Sequence, residues 1–215
     1  MWPDDVSQLA DALQLQNFSA FGLSGGAPHI AALAYQIPER LIRVAIISGV
    51  APPEMVGRSS GMWPPIRLIF FLAKRLPAIN RLILKQMGAF YANEEQMLKR
   101  MKQTLPEPDV CLIEERPEII TIFSAAAMEA HRNGIDGDAW EWRLYVRPWG
   151  FQIAGISKEI WLWYGKYDKN APVGMGHYYA GQLPNSNLQV VEGGGHFSTI
   201  NNHIQEILSY LLSGF

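Results

Sequence analysis

Phe18-Ser-Ala-Phe-Gly-Leu-Ser-Gly-Gly-Ala-Pro-His-Ile-Ala-Ala-Leu-Ala34 runs from an apolar segment through a glycine-flanked serine into an amphipathic segment. The first part reads as a strand over 18–23 and the last as a helix, with Ser24 at the apex of the turn between them. The frame Gly22-Leu23-Ser24-Gly25-Gly26 fits Gly-x-Ser-x-Gly, the nucleophile elbow, whose glycines leave room for a turn too tight for side chains on its flanks. Behind it, Ala27, Ile30, Ala31, Ala34 and Tyr35 recur at helical spacing. Backbone N–H groups at that helix start, Gly25 first, can therefore point at an anion beside the Ser24 hydroxyl. The five-residue frame is weak evidence alone, because glycine and serine are common; the strand before it and the helix after it are the context that gives it weight.

Outward from this stretch, Leu41-Ile-Arg-Val-Ala-Ile-Ile47 is a nearly all-apolar run, the pattern of a strand covered on both faces. Strand, helix and strand at this spacing imply a right-handed parallel crossover. Upstream, Trp2-Pro3-Asp4-Asp5 reads as a helix start, followed by an apolar face of Val6, Leu9, Ala10 and Leu13 that ends near Leu15. Downstream of Ser48-Gly49 the alternation breaks at Pro52, Pro53, Pro64 and Pro65, and helical patterning holds until about Pro148. Candidate helices cover 68–76, 79–90, 94–104, 110–115 and 118–132, with Asp138-x-x-Glu141 as a capping box for one more. Asp136 and Asp138 beside Gly137 resemble the opening of a calcium loop, but the further oxygen ligands are missing and capping is the better reading. Alternation returns with strands over 159–164 and 188–192 and helices over 173–183 and 200–212. The expected organisation is an α/β core over 1–51 and 151–215, interrupted by a helical insertion over 52–150.

Composition narrows the function classes. A formal net charge of -2, with basic residues scattered, provides no field for nucleic acid. One cysteine, Cys111, excludes an intrachain disulfide and fits a reducing compartment; it is expected to be buried and inert. The amino terminus lacks the basic and apolar regions of a signal peptide, and the apolar run 68–73 is too short to span a bilayer, so the cytoplasm is the expected location.

A serine hydroxyl is a weak nucleophile at neutral pH, so Ser24 needs a base to take its proton and an acid to orient that base. In a parallel sheet the productive positions lie just beyond the carboxyl ends of the strands. His196 fits, because it follows the strand ending near Glu192 after three glycines that let its loop bend over the sheet rim. Among the other histidines, His29 lies in the helix behind the elbow, His131 in the insertion, and His177 and His203 in helices; none has a partner at metal-ligand spacing, so no metal is expected. Asp168 runs off the end of Trp163-Tyr-Gly-Lys-Tyr-Asp168, one strand earlier and 28 residues before His196, which makes it the candidate acid. Glu54, in the loop after 41–47, is the reserve.

The order serine, aspartate, histidine, with Gly-Leu-Ser-Gly-Gly at the elbow, Tyr-Gly-Lys-Tyr-Asp-Lys-Asn-Ala-Pro at the acid loop and Glu-Gly-Gly-Gly-His-Phe at the base, resembles the α/β-hydrolase superfamily. The resemblance covers roughly 1–50 and 155–215, and matches the insertion only as a helical cap. It implies a partial fold of about four parallel strands, with Ser24 as nucleophile, His196 as general base and then acid, Asp168 as its orienter and the Gly25 N–H as one oxyanion donor. It further implies a carboxylesterase-like serine hydrolase acting on a small ester through an acyl-enzyme, with no cofactor. Members of that family place about four strands before the elbow strand, and a loop there, commonly bearing His-Gly, supplies a second oxyanion donor; this sequence carries no counterpart to either. The elbow strand is then an apolar sheet edge. Expected partners for it are a second copy, a separate amino-terminal segment or a rearranged cap, and the alternative function is a catalytically silent chain that associates through this edge. In the insertion, Trp63, Trp140, Trp142, Trp149, Phe70, Phe71, Phe90 and Tyr91 can roof an apolar pocket, although most are expected to be core. The stretch 68–84, basic residues among leucines and isoleucines, reads as a packed cap helix, with a lipid-facing surface as the alternative.

Overall fold

The run at 41–47 decides the centre of the sheet. It forms β2 (Leu41–Ile47), and Val44, Ala45, Ile46 and Ile47 have no solvent exposure. In the computed structural model, which describes residues 2–91 and 93–214, β2 pairs in parallel with β1 (Phe18–Leu23) on one side and β3 (Ile160–Gly165) on the other. Strand β4 (Ser186–Val191) continues the sheet beyond β3, giving the order β1-β2-β3-β4. The registers Leu23↔Ile47, Ile47↔Trp163 and Gly165↔Val191 bring the carboxyl ends of all four strands to one rim. The sheet is a partial form of the doubly covered α/β architecture anticipated from the sequence.

The period-two alternation of strand side chains sends alternate residues into two different cores. Val44, Ile46, Leu162 and Tyr164 join one cluster with Ala27, Ile30, Ala31 and Ala34 of α2 (Ala27–Gln36) and Met175 and Tyr179 of α9 (Val173–Gln182). Ala45, Ile47 and Trp163 join another with Ile207 and Leu211 of α10 (His196–Leu212). A central strand buried on both faces must be apolar throughout, which is why 41–47 was readable. The first helix, α1 (Trp2–Ala12), packs on α2 and stops before Leu15, with Gln14 in the left-handed region at φ 57°.

Between β2 and β3 stand α3 (Pro64–Arg75), α4 (Pro77–Tyr91), α5 (Glu94–Thr104), α6 (Glu107–Glu115), α7 (Glu118–Ala130) and α8 (Asp136–Tyr145). Helix α3 begins four residues before the expected 68, because Pro64 and Pro65 are accommodated in its first turn instead of ending an element. Helix α8 begins at Asp136, so Asp138 lies inside the first turn and not at the cap; Glu141 pairs instead with His29. Helix α6 turns Asp109, Leu112 and Ile113 inward, at i, i+3 and i+4, which leaves Cys111 exposed, contrary to the expected burial.

Most of the aromatic side chains in this segment serve packing. Phe70, Trp142, Tyr145 and Trp149 extend the larger core, and Phe90, Tyr91 and Phe123 surround Met97, Ile113 and Ile120 in a separate one. Helix α3 buries Ile69, Phe70, Leu72 and Ala73, while Leu68 and Phe71 remain exposed. Among the described residues no helix is long and apolar enough to cross a membrane.

Candidate active site

The turn after β1 is as tight as the glycine frame requires. Ser24 has φ 53°, a left-handed backbone that a non-glycine residue adopts at a cost and that recurs at functional turns. A Cβ at Gly22 would lie 2.6 Å from Ile30 Cγ1 and 2.7 Å from the Gly26 carbonyl oxygen, so only glycine fits against α2 there. A Cβ at Gly25 would run into the Tyr145 hydroxyl, which reaches the elbow from α8. Gly26 meets nothing within 4 Å, so the last glycine of the frame is not sterically required. The Ser24 carbonyl accepts from the Val50 N–H at 3.0 Å and from the Ala27 N–H, tying the elbow to the loop after β2 and to the start of α2.

Two strands along the rim, Asp168 follows β3 in a turn closed by its own N–H on the Gly165 carbonyl at 3.2 Å. Its Oδ1 accepts from the Asn170 and Ala171 N–H groups at 2.7 and 2.9 Å, which fixes the carboxylate plane. Its Oδ2 accepts from His196 Nδ1 at 2.8 Å. The loops that carry the pair are in direct contact: a Cβ at Gly165 would stand 2.5 Å from the Gly195 carbonyl oxygen and 2.6 Å from that of Gly194. The three glycines before His196 thus permit a close backbone approach as well as a bend.

An ionised carboxylate only accepts, so the proton of the neutral ring sits on Nδ1 and the lone pair of Nε2 is free to take a proton. Asp168 is 4% exposed and His196 8%. Burial disfavours the charged ring, but the adjacent Asp168 carboxylate, its hydrogen bond and the nearby Asp109 carboxylate outweigh burial and raise His196 above its ordinary value of 6.5. A buried imidazole held by a buried carboxylate at a strand rim has the chemistry to take up a proton at Nε2.

Of the four residues the sequence singled out, Asp168 and His196 are joined directly, and Ser24 and Gly25 stand on the same rim at the end of β1. Among the described residues no hydrogen bond links Ser24 Oγ to the His196 ring. Three of the four remaining histidines have other partners: His29 Nε2 is 2.9 Å from Glu141, His131 Nε2 3.2 Å from Asp138 and His203 Nδ1 3.2 Å from Glu206. His177 is part of α9. Glu54 lies near the half-buried Arg58 guanidinium, while Asp168 holds the ring nitrogen that a reserve acid would need. Among the described residues no three His, Cys, Asp or Glu side chains converge to hold a metal ion.

One residue at this site was not legible. Asp109 of α6 is fully buried and accepts from the N–H groups of His196, Phe197 and Ser198 at 2.8, 3.0 and 2.8 Å, and from the Ser198 hydroxyl at 2.7 Å. It caps α10 from a distant part of the chain, so α10 starts at His196 itself and not near 200 as expected. The available signal was negative: Gly195 precedes the helix and has no side chain with which to cap it.

The sequence matches the alpha/beta hydrolase fold family over residues 2–202. No curated protein is significantly similar to it. Among solved structures, a bromoperoxidase from Bacillus anthracis is 17% identical, with a TM-score of 0.66 over 98% of this chain and 71% of that one. The enol-lactonase from Burkholderia xenovorans LB400 is 17% identical, with a TM-score of 0.64 over 97% of this chain and 71% of that one. The esterase EaEST from Exiguobacterium antarcticum is 17% identical, with a TM-score of 0.62 over 97% of this chain and 72% of that one. Likeness at this identity shows a shared fold and does not choose among the different activities those names carry. With the family matched along nearly the whole sequence and the parallel sheet arranged as described, the chain belongs to the alpha/beta hydrolase fold family.

Proposed function

We propose that the protein is a serine hydrolase that cleaves small carboxylic esters, with Ser24 as nucleophile, His196 as base and Asp168 as orienter. The observation that carries the reading is the buried 2.8 Å hydrogen bond from His196 Nδ1 to Asp168, on the same strand rim as the strained Ser24 elbow. In the proposed reaction Nε2 of His196 takes the Ser24 proton as Oγ attacks the ester carbonyl. The Gly25 N–H, at the start of the turn into α2, donates to the tetrahedral oxyanion. The imidazolium returns its proton to the leaving alkoxide, which departs as the alcohol. Water, deprotonated by His196, then attacks the acyl-enzyme, and the acid leaves with Ser24 regenerated. Helices α3 to α8 act as the cap over this rim, no cofactor takes part, and the single cysteine supports a cytoplasmic setting.

A second reading is a silent hydrolase-like chain that works by association. It draws on the exposed Phe21 and Leu23 of β1, the outer strand of the sheet, and on the single oxyanion donor assigned. Loss of one oxyanion donor slows related reactions by roughly 100- to 1,000-fold without abolishing them. Hydrolysis of a short-chain p-nitrophenyl ester by the wild type and by Ser24→Ala separates the two. The hydrolase reading expects a loss of about 1,000-fold or more in kcat for the variant. Equal rates would leave the associating chain.

A further inference from the structure

Among the described residues the Asp109 carboxylate has no hydrogen-bond partner within its own helix. All four of its hydrogen bonds go to the first turn of α10: Oδ2 to the His196 N–H, and Oδ1 to the N–H groups of Phe197 and Ser198 and to the Ser198 hydroxyl. These N–H groups are among the four that the start of any helix leaves without intrahelical partners. Gly195 stands at the cap position with no side chain of its own, and a Cβ there would lie within 2.5 Å of the Asp109 carboxylate. Ser198 closes the arrangement, its hydroxyl accepting from the Gly195 N–H at 2.7 Å while donating to Asp109. The loop before His196 is three consecutive glycines, the least restrained backbone available. The Tyr167 N–H donates to the Gly194 carbonyl at 2.8 Å and the Thr199 hydroxyl to that of Gly195, which holds carbonyl groups ahead of the turn and leaves the N–H groups of 196–198 to Asp109.

We propose that Asp109 is the positioning residue for His196: from α6 it fastens the turn on which the base stands, and thereby makes placement of the base depend on docking of the helical segment against α10. The proposal rests on the reading of His196 as the general base. Asp168 holds the ring through Nδ1 and so sets its tautomer and rotation. Asp109 holds the backbone of the same residue, and so sets where the ring begins. Neither task replaces the other, because an oriented ring on a wandering backbone still misses its target; displacement of a reacting group by about 1 Å can cost 100-fold in rate. The negative charge of Asp109 also complements the helix amino terminus. The charged and titratable groups that act on His196 are Asp168, from the loop after β3, and Asp109, from α6.

Two variants test this by different routes. Asp109→Asn keeps the size but replaces one accepting oxygen by a donor and removes the charge. Gly195→Ala keeps the charge and pushes the carboxylate off the turn with a methyl group. Each is compared with the wild type by kcat and KM on a short-chain p-nitrophenyl ester, by the pH titration of the His196 ring followed by NMR, and by thermal unfolding. The expected result is a kcat lowered roughly 10- to 100-fold in both folded variants, with KM changed much less. The ring titration should move to lower pH in Asp109→Asn, where a negative charge is lost, and less in Gly195→Ala. Loss of the charge alone shifts the ring titration in Asp109→Asn without displacing the ring, so kcat of the folded variants decides: a purely structural role would lower the unfolding temperature and leave kcat where it was, and that result overturns the proposal. Should Asp109→Asn fail to fold, an unchanged kcat in folded Gly195→Ala overturns it equally. A wild type that hydrolyses no ester would end the serine hydrolase reading, and the NMR contacts of the His196 ring in Gly195→Ala, which keeps the charge, would still report whether Asp109 fixes the ring's place: unchanged contacts overturn the proposal.

Discussion

At the residue scale the site depends on a contest between burial and charge at His196. Burial alone would keep the ring neutral to lower pH, and the carboxylates of Asp168 and Asp109 reverse that, so the ring holds its proton above the ordinary 6.5. A general base acts only when neutral. The plot of kcat/KM against pH is therefore expected to rise through a midpoint above 6.5, with activity lost below it as the imidazolium accumulates. Asp168→Asn should move that midpoint down, because a charge favouring the protonated ring is gone. It should also lower kcat by about 10,000-fold, because an amide can hold the ring in the wrong tautomer. A stopped-flow or plate assay of ester hydrolysis between pH 5 and 9 checks both shifts, and an acid limb below the ordinary histidine range in the wild type would contradict the assignment. Gly25 illustrates a constraint of another kind: what excludes a side chain there is the Tyr145 hydroxyl, from a helix more than a hundred residues later.

At the scale of elements, legibility followed the range of the forces involved. The elbow strand 18–23 and the central strand 41–47 were readable to the residue, since a strand buried on both faces must be apolar and a turn of this tightness must be flanked by glycine. The Asp168 and His196 loops were readable because each follows the carboxyl end of a strand of a parallel sheet, and because the order of the three motifs resembles that of the α/β-hydrolase superfamily. Helix boundaries were less so where the cap came from elsewhere. Helix α10 begins at His196 because Asp109, 87 residues earlier, satisfies its first N–H groups, and no local pattern announces a partner so distant. Helix α3 begins at Pro64 because a proline in a first turn loses no hydrogen bond, although the same residue in mid-helix would end it. Cys111 is exposed because its neighbours Leu112 and Ile113 hold the buried face of α6, and the residue's usual preference for the interior yields to that phase. The exposure of Cys111 and the early start of α10 share one element, because the phase of α6 that turns Cys111 outward also turns Asp109 inward to the first N–H groups of α10.

At the scale of the molecule, β1 is an outer strand with β2 on one side, and it presents Phe21 and Leu23 at 42% and 37% exposure. An open edge of this kind invites pairing with another strand. Light scattering of the 24.1 kDa chain is accordingly expected to report a dimer or larger species that Phe21→Lys shifts toward monomer, whereas a wild type that stays at 24.1 kDa at high concentration would contradict association through this strand. The central claim concerns the rim itself, where loops after β1, β3 and β4 bring a hydroxyl, a carboxylate and an imidazole to one side of the sheet. The measurement that tests it most directly is labelling with a fluorophosphonate probe followed by peptide mapping. The account predicts covalent label on Ser24 in the wild type and its loss in His196→Ala; label on another residue, or equal labelling of Ser24 without the imidazole, would contradict it.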